Sequence, residues 1–412
     1  MSVCGVIAEY NPFHYGHLHH LLRAREITGR DYLAVFMSGN FVQRGEPAIV
    51  DKYARARMAL LCGADIVIEL PLISAVSSAE GFARGAVAAL EAAGADSICF
   101  GAEDADIRAL SAAAEALYDC DRTPEFARLL RHYLKTGAAF PAARSMALKS
   151  LGAGADLLNS PNNILAVEYL KAMRRTGSRI RPFVVAREGA GYNETDAGLK
   201  NPSATAIRRA VFERGPLAAM GLMPPPAYKV FADQVFADQA SADGAPRGFA
   251  PVKLDDFSEI FQYNIRRGAD WLKNIAVAGE GIENRLLRAA SRAWNISDVL
   301  DIVKTRRYTR TALQRLALDI VLGITGEEVK KSAEGPGFLR VLGFRRAGAP
   351  ALSYIAARAA IPLVTNVKHA PDGATALLSR ESRRNDIYYL PQARRGLAYP
   401  LGYDMSAPMV IV

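Results

Sequence analysis

The chain contains 412 residues, of which 50% are hydrophobic, and it carries a formal net charge of +9. This length predicts two or three domains with a sizeable hydrophobic core. The basic charge suits a polyanionic partner, although an ordinary basic enzyme explains it equally well. The sequence contains no run of the ~20 apolar residues that a membrane span requires. Because Glu9 also interrupts the first apolar stretch, we expect a cytoplasmic protein without a signal peptide.

The first half of the chain alternates short apolar segments with longer segments of helical periodicity. We predict strands over Val3–Glu9, Tyr32–Ser38, Asp65–Leu70, Ser97–Phe100 and Pro182–Ala186. We predict helices over Leu18–Thr28, Asp51–Cys62, Ala79–Ala93, Ile107–Tyr118, Pro124–Thr136 and Asn163–Thr176. Strands that alternate with helices indicate an α/β fold, in which helices cover both faces of a parallel sheet.

The segment that follows, from Met223 to Pro251, differs in composition, since it opens with three prolines and contains the duplication FADQVFADQ. We interpret residues 223–250 as a linker between an N-terminal domain (residues 1–222) and a C-terminal domain (residues 251–412). Helical patterns dominate the C-terminal region, at Ser258–Arg266, Glu283–Ala293, Ile296–Lys304 and Thr311–Gly323. Strand-like runs follow at Phe338–Phe344, Ile361–Val364 and Ile387–Tyr389. We therefore expect a separate, mostly helical C-terminal domain.

Four of the six histidines fall in one short run, HYGHLHH, directly after the first predicted strand. This position is the carboxyl end of a parallel strand, where open α/β folds bind ligands. Backbone N–H groups at a helix start favour an anion, and Gly16 lets the backbone approach it closely. Imidazoles at His14 and His17 can donate hydrogen bonds to phosphate oxygens as charge develops there. The motif therefore predicts a phosphate site in which these two residues are catalytic.

A metal site is the alternative for this cluster, because His17 and His20 lie three residues apart on one helical face. No carboxylate or cysteine stands beside them in the run, which favours phosphate over metal. His20 is a secondary candidate, and we expect His19 to be solvated. The cysteines lack the spacing of a zinc site and are predicted to be core residues of a reduced protein: Cys4, Cys62, Cys99 and Cys120.

A polar loop over residues 38–47 follows the second predicted strand, so it should project from the same sheet edge as the histidines. It supplies Arg44, and Lys52 comes shortly after it; both side chains suit phosphates. A flexible connection with solvated charges is the alternative. A long polar loop with an exposed Phe41 favours a function, and Lys52 is therefore a third catalytic candidate.

Further candidate contacts end later strands or open later helices. Gly101 ends a strand at the same edge, whereas Asn162 opens a helix, where capping is the simpler explanation. A Ser and a Thr followed by an Arg in the first turn of a later helix would make a second phosphate cradle. The residues concerned are Gly101, Asn162, Arg187, Glu188, Ser203, Thr205 and Arg208.

The motif HxGH after the first strand, with S-x-T-x-I-R at a later helix start, resembles the nucleotidylyltransferase superfamily. Longer strings narrow the resemblance to the tRNA(Met) cytidine acetate ligase family: GVIAEYNPFHYGH, SGNFVQRGEPAIVDKYARARMAL, GADIVIELP, SPNNILAVEYLKA, SATAIR, GIENRL and RYTRTALQR. The resemblance runs from about Val3 to Arg315 and weakens in the C-terminal tail. The family often has Gly where Ala166 stands, and Ser where Ala102 stands.

This resemblance implies a Rossmann-like nucleotidylyltransferase domain that activates acetate with ATP. Acetyl-AMP and pyrophosphate form first, and the acetyl group then passes to the wobble cytidine of elongator tRNA(Met), giving N4-acetylcytidine. Mg²⁺ is expected with ATP, although its ligands cannot be named. Arg208 is a further catalytic candidate. Carried over by position, ATP contacts Val6, Ile7, Ala8, Glu9, Tyr10, Asn11, Pro12, Phe13, His14, Tyr15, Gly16, His17, Leu18, His19, His20, Gly101, Asn162 and Arg187.

A tRNA substrate requires an RNA-binding surface, and the best candidate is the basic run over residues 304–310. Tyr308 supplies an aromatic ring on which a base could stack. Isolated arginine pairs further along the chain are expected to be solvated. The candidate RNA contacts are Lys304, Arg306, Arg307, Tyr308, Arg310 and Arg315.

Two other functions remain open at this point. A small-molecule nucleotidylyltransferase that forms an adenylylated coenzyme precursor explains the histidine motif equally well, but it leaves the basic C-terminal region without a role. A non-enzymatic RNA-binding protein would bind tRNA without any dependence on ATP.

Overall fold

The strands predicted for the first half of the chain are confirmed in the computed structural model, with bounds that differ by at most two residues. The structure describes residues 1–152, 156–187, 202–236, 248–275 and 281–412. Its strands are β1 (Val3–Ala8), β2 (Tyr32–Ser38), β3 (Phe41–Val42), β4 (Glu46–Pro47), β5 (Ile66–Leu70), β6 (Ser97–Ala102), β7 (Arg181–Ala186), β8 (Leu339–Phe344), β9 (Leu363–Val364) and β10 (Val410–Ile411).

An eight-stranded sheet has the order β10-β8-β5-β2-β1-β6-β7, with β9 beside β8. The strands β5, β2, β1, β6 and β7 run parallel to one another. The chain moves from β1 to one side through β2 and β5, and it later continues on the other side through β6 and β7. The order of the strands therefore reverses between β1 and β6, which is where open α/β sheets bind ligands. The predicted α/β class with a Rossmann-like parallel sheet is confirmed.

Helices cover this sheet and continue through the C-terminal region. They are α1 (Tyr15–Thr28), α2 (Lys52–Leu61), α3 (Leu72–Ala75), α4 (Ala79–Ala92), α5 (Ile107–Cys120), α6 (Pro124–Lys135), α7 (Phe140–Ser150), α8 (Pro161–Thr176), α9 (Ala204–Arg214), α10 (Pro225–Val235), α11 (Ser258–Ile265), α12 (Ala269–Lys273), α13 (Ile282–Ala290), α14 (Ile296–Val303), α15 (Arg310–Leu322), α16 (Gly326–Lys331), α17 (Ala349–Arg358), α18 (Asp372–Ile387), α19 (Leu390–Ala393) and α20 (Tyr403–Ser406). No helix among the described residues is long and apolar enough to cross a membrane.

Two hydrophobic layers form because successive side chains of a strand point to opposite faces. In β2, Leu33 and Val35 join the layer that contains α1, α2, α10 and α15. Ala34 and Phe36 join the layer that contains α4, α5 and α8. The predicted burial of cysteines is confirmed for three of the four, since Cys4, Cys62 and Cys99 are buried free thiols and Cys120 is half-buried.

Three predictions for the second half of the chain require correction. Within the predicted linker, Pro225–Val235 is helix α10, because Val230 and Phe231 are buried in the layer that contains α2. The predicted strand over Ile387–Tyr389 is wrong, since α18 ends at Ile387 and a turn follows. Strands β8, β9 and β10 lie in the same sheet as β5 rather than in a separate structure. The domain boundaries at residues 222 and 251 stay a prediction.

Candidate functional site

A pocket lies where the strand order reverses, at the carboxyl ends of β1 and β6. The first turns of α1, α8 and α9 close it, and most of the predicted nucleotide contacts line it. Those that do are Ile7, Ala8, Glu9, Tyr10, Asn11, His14, Gly16, His17, His19, His20, Gly101, Asn162, Arg187, Ser203, Thr205 and Arg208. The pocket lining does not include Val6, Pro12, Phe13, Tyr15 or Leu18, while Glu188 lies outside the described residues.

The histidine motif is the start of helix α1 itself, with His14 as the N-cap residue. The Gly16 N–H donates to His14 Nδ1 at 3.0 Å, and the His14 N–H donates to His17 Nδ1 at 3.2 Å. A neutral imidazole that accepts at Nδ1 carries its proton at Nε2. The cap therefore sets the tautomer of both rings and leaves an Nε2–H donor on each of them.

Both rings are neutral at physiological pH. Burial, with Arg187 and Arg208 nearby, lowers the pKa of His14 to about 3. Burial and the adjacent His14 ring lower the pKa of His17 well below its ordinary value. The ring centroids are only 3.8 Å apart, so two imidazolium cations would repel each other strongly. These histidines therefore act as neutral hydrogen-bond donors.

Gly16 has a second role besides the one predicted from the sequence. A Cβ atom at this position would lie 2.9 Å from Cε1 of His14, closer than real Cβ contacts allow. The glycine therefore gives the His14 ring room to fold over the helix start and accept the Gly16 N–H. This explains why the motif places Gly between the two histidines.

Positive charge surrounds the histidines. Arg44, Arg187 and Arg208 line the pocket, and Glu9 is the one carboxylate among its described lining residues. Arg208 donates to the Asn11 carbonyl at 2.8 Å and pairs with Glu46 at 2.8 Å. Guanidinium groups held in this way suit the oxygens of a polyphosphate.

The loop after β2 forms the small hairpin β3–β4, which packs over one side of the pocket. Arg44 donates to the Thr205 hydroxyl at 2.9 Å, linking the hairpin to the start of α9. The Gln43 N–H donates to a Glu9 oxygen at 2.6 Å, and burial raises the pKa of Glu9. Phe41 is not exposed as predicted: it is 0% exposed and packs against Phe257. The loop therefore has a hydrophobic anchor as well as polar contacts.

Helix α8 presents Asn162 to the pocket from the other side. Glu103 accepts a hydrogen bond from Asn162 Nδ2 at 2.6 Å and another from the Asn163 N–H at 2.9 Å. Arg187 donates to Asn162 Oδ1 at 3.4 Å. Sequence reasoning missed Glu103, which holds the start of α8 in place of a cap from Ser160.

Sequence reasoning also missed the apolar and aromatic residues of the pocket wall. Phe82, Phe100, Leu165 and Tyr169 line the pocket beside the polar groups. In the sequence these residues look like ordinary core positions of strands and helices, and nothing local distinguishes them. Such a wall suits a planar, largely apolar group such as a nucleotide base.

Lys52 requires a correction, because it does not line the pocket. Its side chain is 0% exposed, and its ammonium lies 2.7 Å from Glu69 and 2.6 Å from Asp404. Arg340 pairs with the same Asp404 at 2.6 Å. The tertiary structure thus places Lys52 in a buried ion-pair network outside the pocket lining, and its contact with phosphate stays a prediction.

The basic run forms the turn between α14 and α15. Lys304, Arg306 and Arg307 are exposed there, while Tyr308 is partly buried against the core. Arg310, at the start of α15, forms an ion pair with Asp301. Arg315 donates to the carbonyl of Gln43, a pocket residue, at 3.3 Å. The basic turn is therefore joined to the rim of the pocket through α15.

The metal alternative finds no support in the part of the chain that the structure describes. No three histidine, cysteine, aspartate or glutamate side chains come together there in an arrangement that could hold a metal ion. His17 and His20 line the pocket together with His14, His19 and Glu9, but no three of these side chains are arranged to hold a metal ion.

We expect the free energy of unfolding to decrease as the pH falls from about 6.5 towards 4. Burial lowers the pKa of His20 from 6.5 to about 4, so below pH 6.5 the unfolded chain binds protons that the folded chain excludes. Urea unfolding at about pH 7 and about pH 5 measures this loss. His20→Gln should reduce the loss, whereas His369→Gln, at an exposed position, should not. Equal losses in all three proteins would contradict the expectation.

Together, the reversal of strand order, the two imidazole donors at a helix start and the arginine wall define an α/β enzyme of the nucleotidyltransferase type. The comparison with protein families agrees, since residues 1–397 match the family described as HIGH Nucleotidyl Transferase. The histidine motif of this family is a preorganised helix start here, because cap hydrogen bonds fix both imidazole rings.

Individual relatives narrow this class. The tRNA(Met) cytidine acetate ligase of Thermoanaerobacter sp. (strain X514) is 36% identical over 416 residues and covers 100% of both chains. The protein of the same name from Caldicellulosiruptor saccharolyticus is 41% identical and covers 84% of this chain and 83% of its own. The present chain belongs to the tRNA(Met) cytidine acetate ligase family, whose members are ATP-dependent ligases.

Solved structures agree with this assignment. Thermotoga maritima TmcAL in its apo form superposes with a TM-score of 0.90, shares 32% sequence identity and covers 100% of both chains. The same protein bound with alpha-thio ATP gives a TM-score of 0.87 at the same identity. The likeness therefore extends beyond the nucleotide pocket to the C-terminal helices.

Proposed function

We propose that this chain forms N4-acetylcytidine at the wobble position of elongator tRNA(Met), using acetate and ATP and proceeding through acetyl-AMP. The names of its relatives support the overall reaction. The observation that carries the chemistry is the pair of neutral imidazoles, His14 and His17, whose tautomers are set by the helix cap. They stand beside an arginine wall at a helix N-terminus, an arrangement suited to a triphosphate.

In the first half-reaction, an acetate oxygen attacks the α-phosphorus of ATP, and the bond to pyrophosphate breaks. Charge on the phosphate oxygens increases in the transition state, where fixed N–H donors are most effective. His14 and His17 donate from Nε2, while Arg187 and Arg208 neutralise the triphosphate. Mg²⁺ carried by ATP would add further neutralisation.

In the second half-reaction, the N4 amine of cytidine attacks the acetyl carbonyl. The C–N bond forms, the C–O bond to AMP breaks, and the amine nitrogen releases a proton. This step depends mainly on positioning, and the cytidine must leave its stack to reach the pocket. We assign tRNA recognition to the basic turn and the start of α15, with Lys304, Arg306, Arg307 and Tyr308 facing RNA and Arg310 and Arg315 supporting them.

Isotope labelling tests this proposal directly. Purified protein is incubated with ATP, labelled acetate and an elongator tRNA(Met) transcript, and the nucleosides are then analysed by mass spectrometry. We expect labelled N4-acetylcytidine only when all three substrates are present. If no labelled nucleoside forms, the proposal is wrong. Adenylyl transfer to a small molecule without RNA would instead establish a small-molecule nucleotidylyltransferase.

Acetate-dependent exchange of pyrophosphate into ATP isolates the first half-reaction. It requires no RNA, so it reports on the nucleotide pocket alone. Exchange without tRNA acetylation would separate a working pocket from a failure in RNA recognition.

A further inference from the structure

A second basic segment contains helices α6 and α7, which lie between β6 and α8. Residues 122–152 contain six lysines and arginines but one acidic residue, Glu125, which gives a net charge of +5. Residues 103–121, directly before this segment, contain six acidic residues and one arginine, a net charge of −5, so the positive charge is confined to the stretch that contains α6 and α7. Exposed like charge confined to one stretch suits a polyanionic partner.

Three of these six cations lie on one face of helix α6. Arg128, Arg131 and Lys135 follow the i, i+3, i+7 spacing that places side chains on one side of a helix. All three are exposed, and the Arg128 side chain is 70% exposed. Glu125, the nearest carboxylate, is 3.9 Å from Arg128. The three cations, which we call the α6 face, extend for about 10 Å along the helix.

A cavity of about 550 Å³ is lined by residues of α4, α5, α6, α7 and α8, and Phe126, Ala127 and Leu130 are the α6 residues that line it. Deep in it, Arg144 pairs with Glu168, and Lys171 pairs with Asp121 at 2.8 Å. The protein therefore compensates its own interior charges, and a ligand would meet the rim. Phe140 lies at that rim and is 52% exposed. Single-stranded RNA binds surfaces that combine exposed aromatic rings with cations.

The location of the α6 face is consistent with the same RNA reaching the nucleotide pocket. Helix α7 contacts the short 3-10 helix Asp156–Asn159, which leads into α8 and its pocket residue Asn162. Helix α8 belongs to one hydrophobic layer of the sheet, whereas α15, next to the basic turn, belongs to the other. The two basic surfaces thus lie on opposite sides of the sheet, with the pocket at the edge between them.

We propose that the α6 face and Phe140 form a second RNA-contact surface, which binds the phosphate backbone of the tRNA while the basic turn binds it from the other side of the pocket. This inference rests on the proposed function, because the partner is the tRNA substrate. Lysine and arginine contacts with phosphates supply affinity, and a stacked base on Phe140 adds a contact that is independent of salt.

Binding of elongator tRNA(Met) measured over a range of salt concentrations tests the proposal. The variant R128A/R131A/K135A should raise the Kd at least about tenfold near 0.1 M salt and reduce the slope of log Kd against log salt by about 2 to 3. Phe140→Ala should raise the Kd without changing the slope. The matched control, K330A/K331A/K368A, removes three exposed lysines elsewhere and should leave the Kd within about twofold.

The outcomes distinguish this inference from the function on which it rests. If the wild-type protein acetylates tRNA but the α6 variant binds it as tightly as the control does, the second surface is wrong and the function stands. An equal rise in Kd in both triple variants would also reject the second surface, because the change in overall charge would then explain the weaker binding. If the wild-type protein neither binds nor acetylates tRNA, both proposals fall. The rate of pyrophosphate exchange should be unchanged in every variant, and an unchanged rate shows that the fold is intact.

Discussion

Replacing His14 by asparagine is expected to lower the rate of acetate-dependent pyrophosphate exchange by about 10²–10³, with little loss of stability. The Asn oxygen can accept the Gly16 N–H and cap α1, as His14 Nδ1 does. The shorter side chain ends before the position of Nε2, however, and so removes the donor to phosphate. The exchange rate together with urea unfolding measures the two effects separately.

The alanine variant at the same position completes the comparison. His14→Ala removes both the cap and the donor, so we expect the same loss of rate and a further loss of about 1 kcal/mol in the free energy of unfolding. His369→Ala, at an exposed position remote in sequence, is the control and should change neither quantity. If the Asn variant retained full activity, the Nε2–H donor would have no part in the reaction.

Replacing Lys52 by methionine should destabilise the fold by about 3–5 kcal/mol, because it leaves buried charges without a partner. Glu69 and Asp404 are both within ion-pair distance of the Lys52 ammonium. Although burial alone would raise it, Lys52 and Arg340 hold the pKa of Asp404 well below its ordinary value. Removing the lysine weakens that stabilisation, and urea unfolding measures the effect.

A surface lysine provides the control for this substitution. Lys331 pairs with Glu327 at 2.9 Å, but both side chains are mostly exposed, so Lys331→Met should have little effect on stability. Pyrophosphate exchange is then compared at a temperature at which the Lys52 variant is still folded. A variant of Lys52 with normal stability but no exchange would restore the catalytic role that the sequence suggested.

The buried network also links the C-terminal tail to the loop that carries the pocket residues Gln43 and Arg44. Asn40 accepts the Lys52 N–H at 2.9 Å, and Tyr53 donates to the Asp404 carbonyl at 3.0 Å. The tail therefore supports the pocket wall, although neither Lys52 nor Asp404 lines the pocket. We expect Lys52 to affect the site through this support.

Local sequence determined the elements of the parallel sheet and the position of the histidine motif. Alternating apolar strands and periodic helices depend on neighbouring residues, so their bounds could be predicted within one or two residues for the strands β1, β2, β5, β6 and β7. The placement of His14 and His17 between β1 and α1 is equally local, and it was sufficient to predict a phosphate site.

Tertiary structure decided which of the other candidates reach that site. Lys52 and Arg44 come from the same stretch of sequence and carry the same charge, but only Arg44 lines the pocket. The ammonium of Lys52 instead meets Asp404, a residue more than three hundred positions away in the chain. No local pattern reports such a partner, because ion pairs form between residues that folding brings together.

The same distinction applies to the sheet and to the α6 face. Strand β8 was predicted as a strand from its own residues, but its antiparallel pairing with β5 depends on the packing of the intervening chain. The periodicity of the sequence predicts helix α6, whereas the exposure of its cations is seen only in the fold. By itself the sequence determined the elements and the chemistry of the motif; the tertiary structure decided which side chains meet, because burial and charge compensation depend on distances in space.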